Sequence, residues 1–361
     1  MISGHGGNKK ELAEKLGCPV GEIIDMSSNL NPLGPPEIIE KIICENLQTI
    51  RCLPEADAKS MRQGFAGFHG IRWENVIAGN GTTWFIHTIP RALGSKKVLI
   101  TGPTYSDYKD ACVMHNIGYA HLIAKDDDRF HLNMDRLSRA CQSADTVFIC
   151  NPNNPTGILL EKERLEYLIQ KHTDTVFIID ESYLPFVDPV KEISLVVNPG
   201  YRNIMVLSSM SKIFRVPGLR TGFLSAEENM VQKIMVFYQP WSVNALAQKV
   251  IEHIFDHPAM IEPFFRKTRA FIKKEKQKFL ARMETVKELT LFDTCTCFIL
   301  ARLNNGMTAK TFCKKIGAHK LLIRDCSNFF GLSKAYVRFS LRGGKTNEHL
   351  VKAIKKVLHH A

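Results

Sequence analysis

Four short apolar runs constrain this chain more than any other feature: Val98–Thr101, Thr146–Cys150, Thr175–Asp180 and Ile204–Ser209. Each is too short for an ordinary helix and rich in β-branched residues. None alternates apolar with polar, so each is expected as a strand buried on both faces. Segments with helical spacing, such as Ala58–Phe68, alternate with them. That alternation predicts an α/β fold built on a mostly parallel, mixed sheet with helices on both sides. Each run also ends in a polar cluster: Gly102–Tyr105, Asn151–Gly157, Asp180–Tyr183 and Ser208–Lys212. Open α/β sheets bind ligands just beyond the carboxyl ends of their strands. The clusters therefore mark where a site is expected.

The flanking segments read differently. Residues 8–17 have the spacing of a short helix, stopped by Gly17 and Pro19. The prolines and asparagines of Asp25–Pro36 predict an ordered loop, and Glu37–Asn46 returns to helical spacing. Val76–Thr83 runs from a strand through a glycine turn into a helix. A long helical region ends near residue 283, followed by strand-like Cys297–Ala301, Leu321–Arg324 and Tyr336–Leu341 and a last helix, Asn347–Leu358. The expected division is a large domain over 46–245 and a small α+β domain over 246–361, with 1–45 an arm joining the small domain.

Composition narrows the function classes. No apolar run reaches the roughly 18 residues of a membrane span, and the amino terminus has no charged-then-apolar leader, so the cytoplasm is the expected compartment. The ten cysteines are scattered without zinc-like spacing, so no metal is expected. The net charge of +12 raises the question of nucleic acid. In Lys273–Phe279 the basic residues wrap around the helix and Glu275 interrupts them, which fits solvated faces instead. An excess of positive charge also suits a small phosphate-bearing substrate.

Together with Asn151–Gly157 and Ile178–Tyr183, the stretch Ser208–Gly222 looks like the lysine site of a pyridoxal phosphate enzyme. That cofactor needs an amine, a carboxylate at its ring nitrogen and donors for its phosphate. Lys212 is assigned as the Schiff-base amine and Asp180 as the ring-nitrogen partner. Ser209, Ser211 and Arg220 would hold the phosphate, helped by Gly81, Thr82 and Thr83 at a predicted helix start. Asn154 and Tyr183 would donate to the ring oxygen O3′ from its two sides. Tyr105 is placed to stack on the ring, with Tyr108 a competing candidate. Arg324, Arg338 and Arg342 suit a substrate with two anionic groups. His5, between glycines, reads either as a loose terminus or as an arm closing over a phosphate.

In this order the residues resemble the fold-type I pyridoxal phosphate aminotransferases, in the histidinol-phosphate aminotransferase branch. Within that branch His5–Asn8, Ser27–Gly34, Pro240–Ala247 and Leu322–Asn328 are similar to the threonine-phosphate decarboxylases of cobalamin biosynthesis. The resemblance runs nearly end to end. It implies a homodimer with active sites at the interface, and a small phosphorylated amino acid, threonine phosphate or serine phosphate, as substrate. It places His5 and Asn31 among the substrate residues. Three positions depart from the pattern. Leu53 stands where the branch often has a tyrosine that reaches the neighbouring cofactor phosphate. Cys297 replaces an asparagine, and Tyr183 is the aminotransferase choice where such decarboxylases can carry phenylalanine. The same residue set serves decarboxylation or transamination, according to which bond at Cα is broken, and the two segments near residues 5 and 240 favour decarboxylation. A binding protein that has lost catalysis would be marked by loss of the lysine, and Lys212 is present.

Overall fold

The computed structural model describes residues 6–196 and 201–359. Seven strands form the large sheet, in the spatial order Val76–Asn80, Thr221–Ala226, Ile204–Ser208, Val176–Asp180, Thr146–Cys150, Lys97–Gly102 and Gly118–Ile123. All neighbours are parallel except Thr221–Ala226, which runs antiparallel to both of its partners. The sheet is thus mixed and mostly parallel, as the apolar runs predict. Because side chains alternate across a strand, one sequence feeds two cores. Phe148, Ile178 and Leu207 pack on one face, against Phe85 and Tyr108. Val147, Phe177 and Val206 pack on the other, against Phe65 and Phe255.

Three strands lie outside the four apolar runs: Val76–Asn80, expected from its run into the glycine turn, and two others. Gly118–Ile123 is an edge strand with partly exposed polar positions. Thr221–Ala226 is wholly central but short on apolar bulk. Its Gly222 has a steric reason. A Cβ there would lie 2.5 Å from the Thr82 backbone nitrogen. The missing side chain lets this strand press against the start of the helix Gly81–Ala92.

The small domain is built on a four-stranded antiparallel sheet in the order Arg324–Asp325, Tyr336–Ser340, Phe298–Leu303 and Leu289–Leu291. Ile24–Asp25 adds a short parallel pair with Leu321–Leu322. Helix Ala245–Asp256 packs in the large core through Val250, Ile251 and Ile254. Pro258 breaks the long helical region, and the following helix, Ile261–Met283, spans both units. Its Phe265 and Ile272 belong to the large core, its Phe279 and Met283 to the small one. Helix Glu37–Glu45 also packs in the large core, through Ile39 and Ile42. Among the described residues no helix is long and apolar enough to cross a membrane, and no cluster of side chains would hold a metal ion.

Candidate active site

The strand Ile204–Ser208 runs into Ser209 and a single helical turn, Met210–Ile213, that carries Lys212. The neighbouring strand ends at Asp180, in register with Leu207. Asp180 is buried, and each of its oxygens accepts a hydrogen bond. Tyr108 Oη donates to Oδ2 at 2.8 Å, and the Ser182 N–H donates to Oδ1 at 2.9 Å. Burial pushes the Asp180 carboxyl up, while Ser182, Tyr108 and the Lys212 charge oppose it. Burial also holds the Lys212 amine below the usual lysine value, and the Arg220 charge adds to that, while Asp180 pulls the other way. The mutual attraction of the two groups offsets only part of the cost of taking both out of water.

One end of the cavity above them gathers donors. Gly81 opens its helix with φ +75°, and Arg220 sits in the left-handed region at φ 55° after the turn Pro217–Leu219. Arg220 Nη2 lies 2.9 Å from where a Gly81 Cβ would be, so only glycine lets the guanidinium come this close to the helix start. Thr82, Thr83, Ser209 and Ser211 line the same floor, a cavity of about 90 Å³. The Ser211 hydroxyl already donates to the Thr221 carbonyl at 3.2 Å.

The wider mouth, about 340 Å³, shares Thr83, Tyr105, Asn154, Tyr183, Lys212 and Arg220 with that floor. Its outer wall comes from the small domain and the loop after Asp25. Arg338 is buried; Nη1 donates to Asn154 Oδ1 and Nη2 to the Ser27 carbonyl at 2.7 Å. Its Nε has no hydrogen-bond partner among the described residues. Arg324 Nη2 donates to Asn328 Oδ1 at 2.6 Å, and its guanidinium lies 5.3 Å from the Phe329 ring.

Three expectations take a different form. Asn31 is wholly buried away from the cavity. Its amide donates to the Ile213 carbonyl at 2.7 Å and to Thr268 Oγ1 at 2.9 Å, which fastens the loop behind the lysine turn. Arg342 is likewise not in the cavity wall. Its guanidinium donates to the carbonyls of Asp25, Ser28, Leu30 and Leu341, at 2.8 to 3.3 Å. It grips the main chain that forms the wall and leaves no face for a substrate anion. Tyr108 lies under Asp180 and does not stack over the cavity; Tyr105 lines it. His5 falls outside the described residues.

The sequence reading passed over Asn29, which lines the mouth and bridges the domains. Ser340 Oγ donates to Asn29 Oδ1 at 3.0 Å, and Asn29 Nδ2 donates to Tyr183 Oη at 3.2 Å. Ser27, Ser28, Asn328 and Phe329 line the wall as well. All but Phe329 lie in segments that carry the resemblance, so the signal was there at segment level but not residue by residue. Cys297 is fully buried in the large core, and Leu53 is 75% exposed.

The arrangement of Arg342 makes a first prediction. Lysine keeps the charge but cannot form the planar fork that satisfies several carbonyls. Arg342→Lys is expected to destabilise the protein by about 2–4 kcal/mol, read as a lower denaturant midpoint at unchanged slope. An unshifted midpoint would remove Arg342 from this role.

The residues present fit pyridoxal phosphate. The amine of Lys212 faces the cavity, the buried Asp180 lies at its base, and the Gly81 cradle with Arg220 makes an anion site at one end. The comparisons agree. The family described as aminotransferase class I and II matches residues 21–357. The chain is 30% identical over 360 residues to the adenosylcobalamin biosynthesis bifunctional protein CobDQ of Leptospira interrogans, a match that covers 98% of this chain but only 41% of that protein. It is 29% identical over 360 residues to the histidinol-phosphate aminotransferase of Methanocaldococcus jannaschii, covering 98% of this chain and 94% of that one. Among solved structures it is similar to L-threonine-O-3-phosphate decarboxylase from Porphyromonas gingivalis, with a TM-score of 0.83 and 30% identity, over 92% of this chain and 99% of that chain.

Proposed function

We propose that this chain, which belongs to the class I and II aminotransferase family and uses pyridoxal phosphate, decarboxylates a small phosphorylated amino acid, L-threonine O-3-phosphate or L-serine O-phosphate. The observation that carries this reading is the pair of guanidiniums, Arg324 and Arg338, in one small cavity with Lys212. Such a cavity suits a ligand with an amine between two anionic groups, a carboxylate and a phosphate. The likeness to the Porphyromonas decarboxylase supports the reaction, and the likeness to the Leptospira protein supports a product destined for cobalamin nucleotide-loop assembly.

Each residue then has a role. Pyridoxal phosphate, when bound, supplies the electron sink for the bond broken at Cα. Asp180 would hold its ring nitrogen; Asn154 and Tyr183 would donate to its O3′; Gly81, Thr82, Thr83, Ser209, Ser211 and Arg220 would cradle its phosphate. Tyr105, which lines the cavity, would stack on the ring. Lys212 would supply the amine that binds the cofactor and then carry the proton at Cα. Its lowered basicity keeps a larger neutral fraction at any given pH than an exposed lysine has. Arg338 and Arg324 fix the two anionic ends of the substrate, so binding energy far from the reacting bond decides which bond at Cα is turned for cleavage. His5 remains a proposed closing arm. A homodimer in the cytoplasm completes the proposal. Ile50, Leu53 and Trp241 are exposed apolar residues, and the Trp241 backbone N–H donates to the Ala56 carbonyl, which brings the chain at 241 beside the 50–56 segment as a surface for a second copy.

The test is a CO₂-release assay on cofactor-loaded protein with L-threonine O-3-phosphate and L-serine O-phosphate, without a keto acid. Release is expected from at least one. The two substrates differ by a methyl group, worth about 1–3 kcal/mol in a pocket, so a preference of ten- to two-hundred-fold is the expected scale. No release, with amino transfer from histidinol phosphate to 2-oxoglutarate, would overturn the proposal in favour of the aminotransferase reading that the Methanocaldococcus relative represents.

A further inference from the structure

Tyr108 stands three residues beyond Tyr105, yet the two rings do different things. The helix Asp107–Met114 begins between them and rolls Tyr108 beneath the sheet end. There it is wholly buried, stacked on Phe148 with ring centroids 4.9 Å apart and planes at 15°. Tyr105 meets its edge at 6.0 Å and 83°. Held on these sides, the phenol has a fixed direction, and its hydroxyl donates to Asp180 Oδ2 at 2.8 Å.

We propose that Tyr108 is a positioning residue for this site: its buried hydroxyl fixes the Asp180 carboxylate and keeps the negative charge on it when the cofactor ring lies above. The proposal rests on the cofactor reading and goes beyond it by naming the group that acts through Asp180. The chemistry is a competition for one proton. A carboxylate and a pyridine nitrogen in contact share a proton, which sits on the ring only if the carboxylate is well enough satisfied as an anion. Asp180 is poorly placed for that, because burial favours its neutral form. The groups facing it are Tyr108, the Cys150 thiol, Tyr105, Lys212 and the adjoining Glu181. Cys150, Tyr105 and Glu181 are raised by burial and by their nearness to Asp180, so they offer it no compensating charge. The compensation comes from the Ser182 hydroxyl, the Ser182 N–H on Oδ1, Tyr108 on Oδ2 and the Lys212 charge. The Ser182 N–H is main chain and fixed by the fold. Tyr108 and the Ser182 hydroxyl are side chains that a substitution can remove, and Tyr108 is the one held in direction by a ring stack, with its bond at 2.8 Å. Its own ionisation lies well above the ordinary tyrosine range, so it stays a donor wherever the protein is folded.

The experiment reads the ring nitrogen directly. Protein is loaded with pyridoxal phosphate labelled with nitrogen-15 in the ring, and the resonance is recorded for the wild type, Tyr108→Phe and Phe148→Leu. Phenylalanine keeps the stack on Phe148 and removes only the donor. Leucine at 148 disturbs the stack and leaves the donor. A hydrogen bond to a charged acceptor shifts such a proton balance by about tenfold or more. The expected result is a ring proton in the wild type and in Phe148→Leu, and a resonance moved toward neutral pyridine in Tyr108→Phe. An unmoved resonance in Tyr108→Phe would overturn the proposal, as would equal shifts in both variants, which would reduce Tyr108 to packing. Should Tyr108→Phe fail to fold, a 4-aminophenylalanine placed at 108, a weaker donor of nearly the same shape, must move the resonance toward neutral pyridine; no movement overturns the proposal. Failure of the wild type to take up the cofactor is a separate result and would strike the cofactor reading itself.

Discussion

Lys212→Ala is expected to lower turnover by roughly four orders of magnitude or more, since it removes both the nucleophile and the proton carrier. Among the described residues no other lysine lines either the floor or the mouth of the cavity. The guanidiniums of Arg220, Arg324 and Arg338 are too basic to replace a neutral amine. The loss is not expected to come from unfolding, because the amine sits where burial disfavours its charge. The sign with pH follows. The folded value lies below the unfolded one, so the cost of holding the charged amine is full at low pH and fades as pH rises toward the usual lysine range. Removing the amine relieves most at low pH. The apo variant should therefore melt within a few degrees of the wild type, with the difference moving in its favour as pH is lowered. Two measurements check this: steady-state turnover of both proteins, and borohydride trapping of the cofactor on the Lys212 peptide, which the variant must lack. Turnover within tenfold of wild type would remove Lys212 from the chemistry.

Much of the frame could be read from the chain, because it depends on local pattern. Thr146–Cys150 and Val176–Asp180 are continuous apolar runs but for Thr146 and Asp180 at their ends, the composition expected of a strand with helices on both faces. Ending those strands at Asn151 and Asp180 put two site residues at a predictable edge. Thr221–Ala226 was not legible. Its glycine and serine match no strand pattern, and its reason for being in the sheet is the contact between Gly222 and the Gly81 turn, far away in sequence. Gly118–Ile123 is an edge strand, where exposure removes the apolar signal.

At the site, residue type was legible and direction was not. Arg338 and Arg342 are an even number of residues apart, so a continuing strand would put both on one face. The strand stops at Ser340. Beyond it Asn347 accepts the Arg342 N–H at 2.8 Å and holds the turn, and Arg342 swings onto the carbonyls of the amino-terminal loop. Asn29 and Asn31 pose the same problem in a loop with no period at all. One bridges Ser340 and Tyr183 beside the cavity; the other is tied to Ile213 and Thr268 behind it. Which asparagine faces a ligand depends on the small domain docking on the large one, and no local rule contains that.

Arg338→Gln is expected to lower kcat/KM by about two to three orders of magnitude, the scale of about 2–5 kcal/mol for losing one partner of a buried charged pair. The side chain is buried, its fork is already oriented by Asn154 and the Ser27 carbonyl, and its Nε has no partner among the described residues. An arriving carboxylate would complete it, at little cost in side-chain freedom. Arg324 is half-buried and fastened mainly to Asn328, so Arg324→Gln should cost less, about tenfold. The split between constants distinguishes the chemistry. A strong ion pair stabilises a carboxylate that has to leave as CO₂, so its loss weakens binding more than it slows the step. For a decarboxylase, KM should carry most of the Arg338→Gln effect and kcat should fall less than about tenfold. Arg338→Lys keeps the charge without the fork and should fall between the two. The measurement is steady-state kinetics of the three variants with the phosphorylated amino acid the wild type prefers. A collapse in kcat at constant KM would instead mean that Arg338 acts in the transition state, where a clamp on a departing carboxylate has no reason to help.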